Sequence, residues 1–375
     1  MRNDLKILLL NWQDIKNPFG GGAEVHLHEI FSRIADKGHE ITLLSCSHEE
    51  LPKEEIVDGL QIFRRGSRNL FNYHVYSLYK EFSSRHNYDI VIDDINKIPF
   101  FTPLYVTEPL LAVSHHFFGT SIFREAGLIG GSYVYLSEML VDIIYKNTQF
   151  AVVSQSTLDE FIDRGFSKNN FSIVSNAISQ ENFPMCVSKK NAEPVITYFG
   201  RLKKYKSVDH LFRAFAIIKQ KFPEARLEII GRGDFKDYLD KLSVDLGIEK
   251  SVIFHGFVSE EDKSMLLSRS HLVVNTSMKE GWGITNIEAN ACGTPVISAN
   301  VPGLKDSVSV GKSGLLYEYG NINDLAEKIK SVLDNSAYFD ELCTGSVEWA
   351  KQFSWDKSAN DMIESINRAI SRKNG

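Results

Sequence analysis

Several features are absent from the 375-residue sequence, and each absence excludes a class of protein. The four cysteines lie far apart and form no C-x-x-C pair, which argues against a disulfide framework or a zinc site. Reduced thiols in the cytoplasm are the expectation that follows. No run of about 18 apolar residues occurs, so we expect no transmembrane helix. The early stretch LKILLL is too short for a signal peptide and predicts a buried strand.

The length and net charge of the sequence further restrict the kind of protein that it can encode. A chain of 375 residues is too long for one ordinary core, so two domains are expected. The net charge of −6 argues against general nucleic-acid binding. A stretch rich in polar residues with two prolines, at 181–194, predicts a linker. We therefore place the first domain at 1–185, the second at 194–355, and a C-terminal helix that could cross back to the first at 356–375.

The first half follows a β-α-β rhythm. A strand at residues 6–11 precedes Gly20-Gly21-Gly22 and a helix over 23–37, and a second strand covers 40–45. Right-handed crossover makes a parallel sheet the default for such a unit. The glycines do not form G-x-G-x-x-G, so the dinucleotide fingerprint is absent. They indicate either a ligand-facing loop at a helix start or simply a flexible loop.

Polar residues end two later strands of the first half. Asp93-Asp94 could hold a metal ion or cap the following turn. His115-His116 stand where open α/β sheets bind ligands, although either ring could be packed in the core. The apolar residues that follow predict core packing or, alternatively, an apolar lip for a lipid-linked acceptor. They are Phe117, Phe118, Ile122 and Phe123.

In the second half, strands ending near residues 200, 231, 256 and 276 could all open on one side of one sheet. Arg201 and Lys206 follow the first of these strands, beside the start of a helix, in an arrangement typical of phosphate binding. Gly314-Leu315-Leu316 is interpreted as a break in the pattern, and the residues after it predict helices without a further strand.

The stretch 279–298 combines a glycine-rich loop, a short helix and an apolar strand. Amide groups at a helix start attract anions, and carboxylates accept hydrogen bonds from hydroxyl groups. Glu280 and Glu288 beside such amides suit a nucleotide sugar, which carries both a diphosphate and hydroxyls. The alternative is that Thr285 is an N-cap, Glu288 its capping-box partner, and Glu280 an exposed loop charge.

Three segments in this order carry a resemblance to a known family: GGAEVH at 21–26, FGRLKKYKSVDHL at 199–211 and EGWGITNIEANACGTPVI at 280–297. The chain resembles the retaining glycosyltransferases of family 4, and Glu280 and Glu288 match their E-x(7)-E pattern. The resemblance implies the GT-B fold, an α/β architecture of two Rossmann-like parallel-sheet domains facing a central cleft, with C-terminal helices. The first domain would then be the acceptor side and the second would bind the donor.

The resemblance also implies an activity. We expect a hexose or N-acetylhexosamine to move from a UDP- or GDP-linked sugar to a saccharide or lipid-linked acceptor, with retention at the anomeric carbon. Cell-envelope or surface-polysaccharide synthesis in the cytoplasm, with peripheral contact to the inner face of the membrane, would fit. No cofactor, metal or nucleic-acid partner is expected. Two alternatives stay open, a nucleotide-sugar epimerase or hydrolase and a non-catalytic nucleotide-sugar binding protein.

The residues that the resemblance implies fall into three groups. The catalytic group comprises His115, Arg201, Lys206 and Glu280. The donor-binding group comprises Gly21, Gly22, Arg201, Lys206, Gly233, Phe257, Val258, Glu280, Gly281, Trp282, Gly283, Ile284 and Glu288. The acceptor-side group comprises His116, Asn96 and Asn176. Departures from the family pattern are Asn176-Ala177, where an asparagine-glycine pair is usual, and Asp306, where a glutamate is common.

Overall fold

A computed structural model describes residues 4–96 and 98–374. The chain divides into two compact units, each described here by itself. The first comprises the residues up to Asn176 together with those from Trp355 onward, and the second comprises Ala177–Ser354. The structure places residues 177–185 with the second unit, whereas the sequence pattern placed them with the first. The Met185 N–H donates to the Ala291 carbonyl oxygen at 2.9 Å, which ties this stretch to the second unit.

Within its described part, the first unit has eight strands in one sheet. They are β1 (Lys6–Leu10), β2 (Glu40–Ser45), β3 (Glu54–Val57), β4 (Leu60–Arg64), β5 (Ile90–Ile95), β6 (Leu110–Ser114), β7 (Gln149–Val152) and β8 (Phe171–Ile173). Their order across the sheet is β3-β4-β2-β1-β5-β6-β7-β8, and every pair except β3–β4 is parallel. The sequence analysis missed β3. It forms a hairpin with β4 through Asp58 and Gly59, whose φ values of 45° and 83° suit a two-residue turn.

The second unit has a six-stranded sheet within the described residues. Its strands are β9 (Val195–Phe199), β10 (Arg226–Ile230), β11 (Val252–Gly256), β12 (Leu272–Asn275), β13 (Val296–Ala299) and β14 (Gly314–Tyr317), in the order β11-β10-β9-β12-β13-β14. All neighbours are parallel, so the carboxyl ends of β9 to β12 share one edge, as predicted. The interpretation of Gly314-Leu315-Leu316 as a break is wrong, because these residues belong to β14, which pairs with β13.

Helices cover both sheets. In chain order they are α1 (Gly22–Asp36), α2 (Phe71–Arg85), α3 (Phe123–Ile144), α4 (Gln155–Asp163), α5 (Val208–Lys221), α6 (Lys236–Asp245), α7 (Glu260–Arg269), α8 (Ile284–Ala291), α9 (Ile322–Leu333), α10 (Ser336–Ala350) and α11 (Trp355–Asn374). The chain returns to the first unit through α11, which packs against α1 and against β6, β7 and β8. Two Rossmann-like α/β units and a helical C-terminus therefore confirm the predicted fold class.

Apolar contacts explain why the elements hold their places. Leu8 and Leu10 of β1 are buried and pack in one cluster with Phe71 and Val75 of α2. Strands of a parallel sheet covered on both faces are apolar along their length, and all of Ile7–Leu10 is buried. In the second unit a single large cluster joins β9 and β10 to α5 and α9. The packed helices thus hold the strands in place, and with them the carboxyl edges of both sheets, from which polar side chains extend.

Candidate functional site

Two glycine turns meet at the carboxyl edge of the second sheet. Gly231 has φ +132°, and a Cβ atom there would lie 2.0 Å from the Gly200 carbonyl oxygen. A Cβ on Gly233 would lie 2.0 Å from the Leu202 carbonyl oxygen. The Leu202 N–H donates to the Arg232 carbonyl oxygen at 2.8 Å, which closes the contact. Only glycine permits this approach, so the turns position residues 200–202 through their main chain.

Lys206 and Glu280, which are far apart in the sequence, form an ion pair beside this edge. Lys206 ends a short 3₁₀ turn at Lys204–Lys206, and its carbonyl oxygen accepts the Thr276 hydroxyl at 2.9 Å. The Met278 N–H donates to the Tyr205 carbonyl oxygen at 3.0 Å. These bonds fasten the turn to the loop that carries Glu280, and the structure thereby brings together two of the predicted residues.

Arg201 is exposed at the same edge. Its Nη2 donates to the Tyr205 hydroxyl at 3.3 Å, and its carbonyl oxygen accepts the Tyr198 hydroxyl at 3.0 Å. Tyr198 is fully buried, and burial together with the charge of Glu280 holds the pKa of its hydroxyl well above the ordinary value. The main chain of Arg201 is therefore anchored while its guanidinium faces solvent, a state suited to capturing an anion.

Glu288 forms the second ion pair of this edge. Its Oε1 lies 2.9 Å from Nζ of Lys263 on α7, and both side chains are nearly inaccessible to solvent. Burial raises the pKa of the Glu288 carboxyl, and the ammonium of Lys263 opposes that rise. The sequence analysis missed Lys263 because nothing in the stretch EEDKSM distinguishes this lysine from an exposed one.

The capping-box interpretation of Thr285 and Glu288 is wrong. Helix α8 begins at Ile284 with Gly283 as its N-cap, two residues earlier than that interpretation requires. The Thr285 hydroxyl oxygen instead accepts from Asn275 Nδ2 at 3.1 Å, and Glu288 contacts Lys263. The Glu288 carboxylate is therefore free of any helix-capping role and lies inside the site region.

Main-chain contacts hold the loop that joins Glu280 to α8. A Cβ on Gly303, which has φ +81°, would lie 2.0 Å from the Glu280 carbonyl oxygen. The ring of Trp282 is buried, with its centroid 5.0 Å from that of Phe353. The Ile284 N–H donates to the Trp282 carbonyl oxygen at 3.0 Å. The Trp282 side chain thus packs in the interior, and the loop presents its main chain rather than this ring.

An exposed aromatic residue follows β11 at the same edge. Phe257 is 77% exposed, and the guanidinium carbon of Arg232 lies 5.9 Å from its ring centroid. Val258, the next residue, is half-buried. A flat apolar ring with a cation beside it offers a stacking surface. The sequence analysis had placed both residues in the donor-binding group.

In the first unit, the glycine loop encloses a carboxylate. Glu24 of α1 is buried, accepts the Gly21 N–H at 2.7 Å and accepts Asn96 Nδ2 at 3.2 Å. Glu24 and Gly21 line a cavity of about 160 Å³, and Gly22 begins α1 beside it. Burial raises the pKa of Glu24, which the bond from Gly21 opposes. Glu24 was not among the predicted site residues, although it stands inside the GGAEVH segment that marked the loop.

His115 pairs with an acid at the carboxyl edge of the first sheet. Its Nε2 lies 3.0 Å from Oδ1 of Asp94, which is fully buried. Burial lowers the pKa of His115, but the charge and hydrogen bond of Asp94 outweigh it, so the net shift is upward. The ring of His26 lies 5.2 Å away, and burial followed by the nearby His115 lowers the pKa of His26 to about 3. Asp94 is thus a histidine partner.

His116, Asn176 and Asp93 are further residues of the first unit that the sequence analysis named. His116 is half-buried with its ring 4.6 Å from that of Phe118, and Asn176 is half-buried after β8. Asp93 accepts the Tyr145 hydroxyl at 2.6 Å. Across residues 4–96 and 98–374, no three or more His, Cys, Asp and Glu side chains are grouped to hold a metal ion. The metal alternative for Asp93-Asp94 therefore finds no ligand set in the described chain.

Comparisons with known proteins agree with this geometry. A family model described as Glycosyl transferases group 1 matches residues 180–352, and one described as Glycosyltransferase Family 4 matches residues 20–182. An uncharacterized glycosyltransferase of Methanocaldococcus jannaschii is 23% identical over 96% of this chain and 97% of its own.

Solved structures show the same fold. Sucrose-phosphate synthase from Thermosynechococcus elongatus aligns with a TM-score of 0.79 at 19% identity, over 98% of this chain and 100% of that one. HepE of Anabaena, in complex with UDP and glucose, aligns with a TM-score of 0.73 at 19% identity, over 97% and 100%. The fold shared with these structures is GT-B. The two family models then identify the chain more particularly as a glycosyltransferase.

Proposed function

We propose that the chain is a retaining glycosyltransferase of family 4, with Glu280 and Glu288 as its E-x(7)-E pair. It would transfer a hexose or N-acetylhexosamine from a nucleotide diphosphate sugar to a saccharide or lipid-linked acceptor in envelope or surface-polysaccharide synthesis. The observation that carries the proposal is the Lys206–Glu280 ion pair beside the exposed Arg201 guanidinium. The complex of HepE with UDP and glucose supports a uridine donor.

We assign roles to Lys206 and Glu280 by supposing that a bound diphosphate replaces Glu280 as the partner of Lys206. Without a ligand, the Lys206 ammonium is neutralised by Glu280. A bound diphosphate brings negative charge to this edge, and Lys206 and Arg201 then contact its oxygens. Glu280 is released to accept hydrogen bonds from sugar hydroxyls. Negative charge grows on the leaving diphosphate during transfer, so the two cations stabilise the transition state more than the ground state.

Glu288 has the proposed role of binding the ribose. Lys263 contacts Oε1 of the carboxylate, and we assign Oε2 to the ribose hydroxyls. Burial raises the pKa of the Glu288 carboxyl, and the Lys263 ammonium opposes that rise and favours the ionised form, which is the state that accepts two hydroxyl donors. Phe257 would stack against the base, with its ring exposed after β11. In the first unit, His115 would donate to a sugar hydroxyl, since Asp94 favours its protonated form.

The proposed chemistry needs no protein nucleophile and no metal ion. The leaving phosphate accepts the proton of the acceptor hydroxyl on the face where the new bond forms, which retains the anomeric configuration. The protein supplies orientation and fixed positive charge. Product analysis by NMR reads the anomeric configuration directly, and an inverted product contradicts this part of the proposal.

A binding experiment tests the diphosphate site without knowledge of the acceptor. Isothermal titration with uridine and with UDP separates base and ribose contacts from phosphate contacts. We expect Arg201→Ala with Lys206→Ala to weaken UDP binding by at least about tenfold, since charge-assisted hydrogen bonds contribute about 1.5–3 kcal/mol each. Uridine binding stays unchanged.

Lys203→Ala is the matched control, because Lys203 lies in the same basic run but pairs with Asp234 at 2.7 Å. It should leave both affinities within about twofold, as exposed pairs contribute little. Equal UDP affinities in the double variant and the native chain would contradict the assignment. With a UDP- or GDP-linked sugar and an acceptor panel, the double variant should turn over about 10²–10³ times more slowly.

A further inference from the structure

Helix α3 presents a large apolar face to solvent. Among the described residues, Gly127–Ile144 is the one helical segment long and apolar enough to cross a membrane, with a mean hydropathy of 1.3, yet only 28% of it is buried. Its exposed side chains recur at helical spacing on one side: Leu128, Ile129, Tyr133, Leu136, Met139, Leu140 and Ile143. These seven residues are called the α3 apolar face.

The residues predicted to form an apolar lip do not belong to the α3 apolar face. Phe117 and Ile122 are buried in the core, so their apolar surface is not available to a lipid. Phe117 packs against Phe161, with ring centroids 4.6 Å apart. The exposed apolar side chains of α3 come after Gly127, whose φ of 66° interrupts the helix. Local apolar composition could not separate these two neighbouring stretches.

The opposite side of α3 packs on the first unit. Val134, Val141 and Tyr145 are buried there, and the buried Glu138 accepts the Gly119 N–H at 2.9 Å. Asp142 accepts from Arg164 at 2.7 Å. The helix is thus held along one side by protein contacts. A helix attached in this way cannot be surrounded by lipid, but its free side can lie in the plane of a membrane surface.

Aromatic and basic residues flank the α3 apolar face. The Tyr133 hydroxyl accepts from Asn72 Nδ2 at 2.9 Å and lies 3.2 Å from the Tyr73 hydroxyl, which joins α3 to α2. Tyr73 is exposed, as is Tyr76 one turn later on α2, and Lys80 lies over the Tyr76 ring at 4.8 Å.

The charge of this flank differs from that of the whole chain. Residues 65–80 contain Arg65, Arg68 and Lys80 and no acidic residue, although the net charge of the protein is −6. Arg68 lies over the ring of Phe19, which is itself exposed. Arg65 pairs with Glu54, so Arg68 and Lys80 supply the local positive charge beside the α3 apolar face.

We propose that the α3 apolar face and its flank, Arg68, Tyr73, Tyr76 and Lys80, dock the first unit on the surface of an anionic lipid bilayer. The apolar face would enter the boundary between headgroups and acyl chains. Tyrosine rings favour that boundary, and cations near it are attracted by anionic headgroups. A symmetric dimer is a poorer match, because an isologous contact brings the same cations of both copies together. This inference is independent of the proposed donor.

Co-sedimentation of the full chain with vesicles tests the charge requirement. Vesicles of phosphatidylcholine mixed equally with phosphatidylglycerol should bind the chain, vesicles of phosphatidylcholine alone should bind it weakly, and added salt should release it. Arg68→Gln with Lys80→Gln should lower the partition coefficient on the mixed vesicles about 30-fold, from roughly 1 kcal/mol for each cation. Binding that ignores both lipid charge and these substitutions overturns the proposal.

A pair of matched variants tests the apolar requirement. Ile143 and Ile56 are 74% and 73% exposed, and only Ile143 belongs to the α3 apolar face. Ile143→Glu should lower the partition coefficient at least about tenfold, whereas Ile56→Glu should leave it unchanged. Far-UV circular dichroism and thermal unfolding confirm that both variants are folded. If sedimentation velocity without lipid shows a native dimer that Ile143→Glu converts to monomer, the face binds a second copy and the proposal falls.

Discussion

The Lys263 ammonium lies 2.9 Å from the Glu288 carboxylate, and the two side chains are 6% and 13% exposed. The pair joins α7 to α8, the helix that follows the loop carrying Glu280. Lys263 also contacts Glu260 at 2.6 Å, on the solvent side of α7. A lysine between two glutamates therefore fixes the position and ionisation of the carboxylate proposed to bind ribose.

Removing Lys263 should destabilise the second unit strongly. Lys263→Met leaves a buried carboxylate without its partner, and breaking a buried pair in this way costs about 3–5 kcal/mol. Urea unfolding monitored by tryptophan fluorescence measures the loss. Lys236→Met is the control, because Lys236 pairs with Asp240 on an exposed helix surface and should contribute less than about 1 kcal/mol. Adding Glu288→Leu to Lys263→Met should recover part of the stability, and a failure to recover contradicts the uncompensated-charge explanation.

A single methyl group at Gly303 should displace the Glu280 loop. The added Cβ would lie 2.0 Å from the Glu280 carbonyl oxygen, so the loop must shift. We expect Gly303→Ala to reduce the turnover of the UDP- or GDP-linked sugar by about 10²-fold. A loss of this size is expected when a positioned group moves by about an ångström. Gly320→Ala is matched to it, since Gly320 has φ +86° but no atom within 4 Å of an added Cβ. Similar turnover in both variants would rule out the steric argument.

Asp94 should control the ionisation of His115. Its charge and hydrogen bond outweigh the effect of burial and raise the pKa of His115. Asp94→Asn removes the charge, so the pKa of His115 should fall and the alkaline limb of the activity profile should move to lower pH. NMR titration of the ring protons measures the same shift directly. Asp93→Asn is the comparison, because Asp93 bonds to Tyr145 instead. An unchanged His115 titration in Asp94→Asn contradicts the pairing.

Acid should destabilise the first unit through His26. The folded chain keeps this buried ring neutral, with a pKa of about 3 against an ordinary 6.5. Below pH 6.5 the unfolded chain takes up a proton that the folded chain does not. Stability therefore falls as pH drops from 6.5 toward 3, by about 1.4 kcal/mol per pH unit for this group. His26→Gln should flatten that slope, while His86→Gln, at an exposed position, should not. Equal slopes in all three proteins would exclude His26 as the cause.

Periodic patterns predicted the parts of the fold that repeat. Alternating strands and helices predicted both parallel sheets, and the parallel order of β9 to β12 brings their carboxyl ends to one edge. Strand β3, with the sequence EEIV, is half polar and only its last residue is buried, and β14 begins at the glycine that was interpreted as a break. The turn at Asp58-Gly59 was the available signal for β3, because both positions need positive φ.

Partners of the site residues were less accessible from sequence. Lys206 and Glu280 could be paired through the resemblance, since both stand in recognised segments. Lys263 stands in a helix of charged residues, and only its burial shows that it serves Glu288. Asp94 carried a signal, its place at a strand end, but spacing along the chain does not show that β5 and β6 are neighbours that bring it to His115. Such pairings depend on strand order, which a single sequence does not contain.

Helix α11 has a consequence for how the protein is made. It covers α1 and the strands β6 to β8, yet 178 residues of the second unit, Ala177–Ser354, are synthesised between β8 and this helix. Until α11 has been synthesised, the apolar surface that it covers is exposed to solvent on the nascent chain. The second unit, contiguous in sequence, can finish folding while the first still awaits its last helix. Chaperone demand during translation should therefore fall mainly on the earlier-made unit.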